Sequence, residues 1–435
     1  MQGLLTILLV LAGTAGWTQE IYHTGNEEPA DTDHLPGLVL AGGESDNDDA
    51  MTWMLQRADG GDVVVLRATG SDGYNDYLYS GLGVEVNSVT SIVITGPEDA
   101  DSQEVLDIVA EAEVVFIAGG NQWHYVDEWR DSQLLEALNG LIHDKQITIG
   151  GTSAGMAVLG EVVFTAEEGT VWSSEALSNP YHWRMKLEKD FLEVPFMEQT
   201  VTDSHYNRIH DDGMNRHGRH VGFMARMVAD WDMDARGIAA NEYTAIAVDE
   251  TGKARVFGDP AYDDYAYFLQ QYGGPPETCV SGEPLHWERD QEAIRVYKVK
   301  GDFEGSGWFD IDGWEEGEGG EWDFWYVVDG DLFVAGEEDD TSIQGPEKTG
   351  LNLKLYPNPA EDLLHLELKN AFPGETGEGL SVEVRASDGR LVMHARPGYV
   401  PGEAISLDVS DLPAGAYVLR LTAGRETISK SWIKR

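Results

Sequence analysis

An α/β fold, with a mostly parallel sheet flanked by helices, an antiparallel β extension and a C-terminal β-sandwich, is predicted by three observations. The first is a series of short, continuous apolar runs: Leu38-Val39-Leu40, Val63-Val64-Val65-Leu66, Ile92-Val93-Ile94, Val114-Val115-Phe116-Ile117 and Ile147-Thr148-Ile149. Runs of this length without alternation are strands covered on both faces. The second is the amphipathic sequence between them. Val105, Leu106, Ile108, Val109 and Ala112 recur at helical spacing behind Asp101 or Ser102 as the cap. Strand and helix alternating over residues 34–258 mean a parallel sheet, whose ligands sit at the carboxyl ends of its strands. The third is a double change of texture. Residues 259–341 are aromatic, acidic and broken by glycine, with strands expected at Ile294-Arg295-Val296-Tyr297 and Leu332-Phe333-Val334. A linker at 342–350 leads to 351–435, where a strand from Leu363 to Leu368, a hairpin turn at Asp388-Gly389-Arg390 and a strand through Tyr417-Val418-Leu419-Arg420 read as a small sandwich.

Composition narrows the function classes. The 29 Lys+Arg against 78 Asp+Glu give a formal charge of −49, which excludes a nucleic-acid groove as a main role and suits a cationic substrate or a salty habitat. Cys279 stands alone, so neither a disulfide framework nor a thiolate metal cluster is available. Residues 1–18 read as a signal peptide, with an apolar run from Leu4 to Ala12 and small residues after it, although Met1-Gln2-Gly3 lacks the usual basic residue.

The chemistry concentrates in three places. Gly150-Gly151-Thr152-Ser153-Ala154-Gly155 sets one hydroxyl between glycines directly after a strand, the pattern of a nucleophile elbow, and Met156-Ala157-Val158-Leu159 can continue it as a buried helix. Phe116-Ile117-Ala118-Gly119-Gly120-Asn121-Gln122 ends the preceding strand with backbone N–H groups fit for an oxyanion hole and with the amide of Gln122. Thr202-Asp203-Ser204-His205 follows apolar residues and offers a base for the serine. The later cluster His210, Asp211, Asp212, His217 and His220 lacks the spacing of a zinc site.

Residues from about 38 to 258 resemble the cyanophycinase and dipeptidase E family of serine peptidases, on a class I glutamine amidotransferase-like fold. The resemblance rests on Leu40-Ala41-Gly42-Gly43-Glu44, the segments just described, and Gly218-Arg219 before Phe223-Met224-Ala225-Arg226. It implies Ser153 as nucleophile, His205 as base and an acid located between them. Glu161, Glu167, Glu168 and Glu175 all compete for that place, and Glu168 is chosen for its loop before Gly169-Thr170. It further implies oxyanion donors at the backbones of Gly120 and Ala154, and substrate contacts from Gln122 and Asp203. Arg216 and Arg219 keep the Arg-x-Gly-Arg ending of the family's arginine cluster, so they would grip substrate carboxylates as forks. Residues 209–215 interrupt that cluster, with Arg208 standing for a further arginine. Neither a cofactor nor a metal is implied. The expected substrate is a peptide or cyanophycin-like polymer, cut at β-aspartyl-arginine or related bonds through an acyl-enzyme. The rival readings are an esterase with the same elbow and an inactive binding protein on a peptidase-like scaffold.

The last segment resembles the C-terminal sorting domain of the type IX secretion pathway, through Tyr356-Pro357-Asn358-Pro359, Asp388-Gly389-Arg390, Leu412-Pro413-Ala414-Gly415-Ala416-Tyr417 and the basic end Lys434-Arg435. It implies the type IX machinery as a partner and a secreted or surface-attached protein. A homodimer is admitted as the assembly state.

Overall fold

The computed structural model describes residues 20–210 and 212–335, and, between 352 and 434, residues 352–356, 360, 363–369, 380–386, 391–395, 405–410, 412–413, 415–423 and 426–434. The expected signal peptide, the 342–350 linker, Pro357-Asn358-Pro359, the Asp388-Gly389-Arg390 turn, Asp211 and Ala414 lie outside the described residues. The chain divides into two compact units, Met1–Gly345 and Pro346–Arg435.

The first unit is built on two large sheets. Its strands in chain order are β1 (Glu20–Gly25), β2 (Gly37–Ala41), β3 (Asp62–Arg67), β4 (Ser88–Val93), β5 (Val114–Ile117), β6 (Thr148–Thr152), β7 (Val162–Phe164), β8 (Leu187–Lys189), β9 (Thr200–Asp203) and β10 (Arg236–Ala240). They continue as β11 (Ala245–Val248), β12 (Lys253–Phe257), β13 (Tyr265–Gln271), β14 (Ile294–Lys300), β15 (Trp308–Asp310), β16 (Gly317–Glu318), β17 (Gly320–Val328) and β18 (Asp331–Ala335). The first sheet runs β1-β4-β3-β5-β6-β2-β11-β12-β15-β16 and the second β18-β17-β14-β13-β10-β9-β7-β8. Each apolar run of the sequence supplies a strand of the five-stranded parallel block β4-β3-β5-β6-β2. Leu40, Val65, Leu66, Phe116 and Ile117 are wholly buried in it.

Helices cover this block. Helix α1 (Asp48–Arg57) is capped by the Asn47 side chain, which accepts from Ala50 N, and begins with Asp48 and Asp49, so carboxylates face the positive end of the helix dipole. Its Met51, Met54 and Leu55 are buried. The predicted helix after Ser102 is present as Gln103–Glu111, with Val105 and Val109 buried; Ser102 occupies the cap position without a side-chain cap bond.

Residues after 258 do more than append a β extension. β15 and β16 lengthen the first sheet and β13, β14, β17 and β18 the second, antiparallel throughout. Phe268, Phe309, Trp287 and Trp314 are fully buried, so aromatic side chains that look like surface texture in sequence are core residues. No helix among the described residues is long and apolar enough to cross a membrane.

The second unit has a three-stranded sheet, Asn352–Tyr356, Leu363–Lys369 and Ile405–Asp408, and a four-stranded sheet in the order Leu391–Ala395, Leu380–Ala386, Gly415–Ala423, Glu426–Lys434. Leu364, Leu366, Val382, Val384, Leu407, Leu419 and Leu421 are buried in one core. This alternation of inward apolar residues is what a sandwich requires.

Candidate active site

Two sets of parallel neighbours, one in each sheet, determine where the site lies. In the first sheet β5, β6 and β2 are adjacent and parallel, so the segments leaving their carboxyl ends converge: Gly119-Gly120 after β5, Ser153 after β6, Gly42-Gly43 after β2. In the second sheet β9 and β10 are adjacent and parallel, with Asp203 opposite Ala239. His205 stands two residues beyond the end of β9, and Glu242 two residues beyond the end of β10. Backbone bonds sew the two edges together: His205 N donates to Gly42 O at 2.7 Å and Tyr243 N to Gly43 O at 3.0 Å, while Ser153 N donates to Ala41 O at 3.0 Å within the first sheet.

Ser153 has φ 53° and ψ −108° and precedes the four-residue helix α2 (Ala154–Ala157). The buried helix expected through Leu159 therefore stops at Ala157, although Val158 and Leu159 remain in the core. The flanking glycines are dictated by close packing. A Cβ on Gly155 would lie 1.9 Å from Ile117 O, and one on Gly151 would lie 2.4 Å from the Gly155 carbonyl carbon. Glu44 (φ 71°), His205 (φ 47°) and Tyr243 (φ 66°) also occupy the left-handed region. Such backbone costs about 1–3 kcal/mol per residue and persists where surrounding structure over-determines it.

The strain serves a hydrogen-bonded line. Ser153 Oγ lies 2.8 Å from His205 Nε2, and His205 Nδ1 lies 2.9 Å from Glu242 Oε1. Glu242, and not Glu168, is the carboxylate on the imidazole. Glu168 is exposed on the loop after β7, whereas the pairing of β10 with β9 delivers Glu242 beside His205. Burial pushes the His205 pKa down, more than the Glu242 hydrogen bond raises it, with Arg216 adding to the depression. The depression favours the neutral ring, the form that can accept a proton.

The other expected site residues sort by what they touch. A Cβ on Gly119 would lie 3.6 Å from Ser153 Cβ, which sets Gly119 beside the serine, whereas one on Gly120 would meet Tyr125 Oη at 3.7 Å. Ala154 opens the helix that Ser153 precedes. Gln122 donates from Nε2 to Phe164 O at 3.2 Å. The forks expected on a substrate carboxylate close inside the protein instead. Arg219 donates from Nε to Asp203 Oδ2 at 2.8 Å and from Nη2 to Asp203 Oδ1 at 2.5 Å, with Nη1 on Thr170 Oγ1 at 2.7 Å. Both partners of this pair are about 3% exposed. Burial raises the pKa of Asp203, but Arg219, together with Arg216 and His220, outweighs it and holds the carboxyl below its usual range. Arg219 and Asp203 thus brace the turn that carries His205, because a buried charge needs its partner. Arg216 donates to Ser204 O at 2.8 Å and to His210 Nε2 at 3.2 Å.

Two residues had no role assigned from the sequence, although Gly43 stands in one of the matching motifs. Glu242 had a signal: a carboxylate placed after its strand as His205 is placed after its own. Gly43 is the other. At φ 97°, a Cβ there would meet the His205 ring at 2.6 Å and Ser153 Cβ at 3.1 Å. Gly43→Ala is expected to lower kcat/KM about 100-fold, since a misplacement of about 1 Å at reacting groups costs that much; steady-state kinetics beside a thermal melt would check it.

The only three groups among the described residues with metal-ligand spacing are Glu44, His205 and Glu242, whose ligand atoms lie within 4.8 Å of one another. The cation between the two glutamates is Arg208, which donates from Nε to Glu242 Oε1 at 2.6 Å and from Nη2 to Glu44 Oε1. Of the cluster after His205, His220 is buried against Tyr206 and Val201, and Asp212 accepts from Ser174 N.

Residues 67–183 match the family described as peptidase family S51, and residues 354–435 match the secretion system C-terminal sorting domain. The chain is 27% identical over 253 residues to the cyanophycinases of Synechococcus elongatus and Thermosynechococcus vestitus, covering 53% of this chain and 71% of each relative. Similar solved structures include a peptidase from an acI-B1 actinobacterium, at TM-score 0.40 and 16% identity over 63% of this chain and 97% of that one. A protein described as peptidase E from Listeria monocytogenes gives TM-score 0.32 and 10% identity over 52% and 99%.

Proposed function

We propose that this chain, which carries a peptidase family S51 domain and a sorting domain for type IX export, is a secreted or surface-attached serine exopeptidase acting on β-aspartyl-arginine or related aspartyl peptide bonds. The observation that carries the reading is the unbroken line from Ser153 Oγ through His205 to Glu242 at 2.8 and 2.9 Å. In it His205 Nε2 takes the proton as Ser153 Oγ attacks the scissile carbonyl, and Glu242 Oε1 holds the proton on Nδ1, fixing the tautomer that leaves Nε2 free to accept. The oxyanion would be met by the backbone N–H groups of Gly120 and Ala154. Collapse of the tetrahedral species passes the proton from His205 to the departing amine and leaves an acyl group on Ser153, which a water activated by the same imidazole removes.

A cationic substrate is favoured by the formal charge of −49. The likeness to two cyanophycinases points the same way. The test is to offer the purified full chain cyanophycin, β-aspartyl dipeptides and ordinary α-peptides, and to identify products by mass. Release of β-aspartyl-arginine from chain ends is the expected result. Turnover of simple esters with no action on any aspartyl peptide would overturn the proposal in favour of an esterase.

A further inference from the structure

Arg208 is bound to the site in a manner that substrate binding does not explain. Its Nε donates to Glu242 Oε1, the same oxygen that holds His205 Nδ1, and its Nη2 reaches Glu44 Oε1. The side chain is 40% exposed, while that of Glu242 is 19% exposed. The more exposed guanidinium and the imidazole therefore share one oxygen of the carboxylate. Two donors on one oxygen restrict the torsion of the Glu242 carboxylate, and the fixed positive charge competes with imidazolium for its field.

We propose that Arg208 is a positioning residue: bridging Glu44 and Glu242, it holds the Glu242 oxygen on His205 Nδ1 and keeps that carboxylate from over-stabilising the protonated imidazole. The inference rests on the Ser153–His205–Glu242 reading above. Glu242 would otherwise be the stronger pull. A lone carboxylate at hydrogen-bond distance favours imidazolium, which cannot accept the serine proton. The bridge from Glu44 leaves the geometry of that hydrogen bond and removes part of its electrostatic bias.

The charged groups facing His205 and Glu242 come from several elements: Asp203 at the end of β9, Arg216 before the helix His217–Trp231, Glu44 after β2, and Arg208 itself. Asp203 is committed to Arg219 and Arg216 to Ser204 and His210. Arg208 alone among these cations touches the carboxylate of Glu242. Glu44, in turn, is held at φ 71° in the turn after Gly43, so its carboxylate is presented to Arg208 by the same backbone that supports the nucleophile.

The experiment is the pH profile of kcat/KM for the full chain, its Arg208→Gln, Arg208→Lys and Glu44→Gln variants, and the double variant of Arg208→Gln with Glu44→Gln. The acid limb of the unsubstituted chain should lie below pH 6.5, since the His205 pKa is depressed. In Arg208→Gln the limb should move upward by about half a pH unit or more, as expected when a nearby cation is lost. The plateau kcat should fall about 10-fold, the low end of what acid–base positioning contributes. Arg208→Lys should restore most of the limb position but not the plateau, because an ammonium keeps the charge without the fork. Glu44→Gln should lower the plateau, and the double variant should be no worse than Arg208→Gln, the signature of one coupled bridge. A rise in KM with the limb in place would overturn the proposal and make Arg208 a substrate contact. Unchanged kinetics in Arg208→Gln would overturn it outright. Loss of the line reading itself would show separately, as hydrolysis surviving Ser153→Ala.

Discussion

Ser153→Ala is expected to reduce hydrolysis of the preferred aspartyl peptide by at least about 10⁴-fold, the scale on which serine hydrolases lose turnover when the nucleophile is removed. The fold should survive. The substitution deletes one oxygen at a half-buried position and keeps a Cβ where one already fits, so the thermal melting curve should stay close to that of the unsubstituted chain. The hydrogen bond to His205 Nε2 is the one side-chain contact of Ser153 removed, worth about 1 kcal/mol. A serine-directed acylating probe should label the unsubstituted chain at this residue and leave the variant unmodified. Undiminished turnover in the variant, with labelling elsewhere, would mean that the strained turn at φ 53° and ψ −108° serves something other than attack. The inactive-scaffold reading would stand instead if no substrate or probe reacted with the unsubstituted chain.

The second large effect separates two glutamates that sequence alone does not separate. Glu242→Gln should lower kcat by about 10³- to 10⁴-fold, because an amide on Nδ1 can donate and so favours the tautomer with its proton on Nε2, facing the serine oxygen it must deprotonate. KM should change little, as the carboxylate acts on the imidazole and not on the bound peptide. Glu168→Gln, on an exposed loop, should leave kcat/KM within about twofold, the range of surface changes away from named interactions. The reverse pattern, a silent Glu242→Gln and a crippling Glu168→Gln, would require the loop after β7 to move onto His205 during turnover and would sink the proposed line. Measuring both variants on one substrate, at a pH above the acid limb, keeps protonation of His205 out of the comparison.

Much of the site was legible because local physics wrote it locally. Ser153 between glycines, Gly119-Gly120 after an apolar strand and His205 after another are patterns contained within six or seven residues, and each landed where a parallel sheet sends the ends of its strands. The pairing of Asp203 with Arg219 was not legible. An arginine in a family pattern reads as a hand for substrate until the structure shows that a neighbouring acid already fills its fork. Residues 259–341 read in sequence as an acidic, aromatic-rich β extension, and that texture gives no hint that the described strands in this stretch lengthen both sheets rather than forming a separate layer.

The sequence by itself determined the strands of the parallel block, the glycine-flanked turn at Ser153, the placement of His205 after a strand and the sorting segment. Those depend on hydrophobic continuity, turn chemistry and short motifs, all carried by residues close in the chain. Tertiary structure alone decided which carboxylate meets His205. Glu242 is 37 residues beyond His205, and what brings them to 2.9 Å is the alignment of β10 on β9 across an intervening helix. Strand pairing at that separation is governed by the burial of whole faces rather than by any local pattern. The same holds for Arg208, whose position between Glu44 and Glu242 joins segments 164 and 34 residues away.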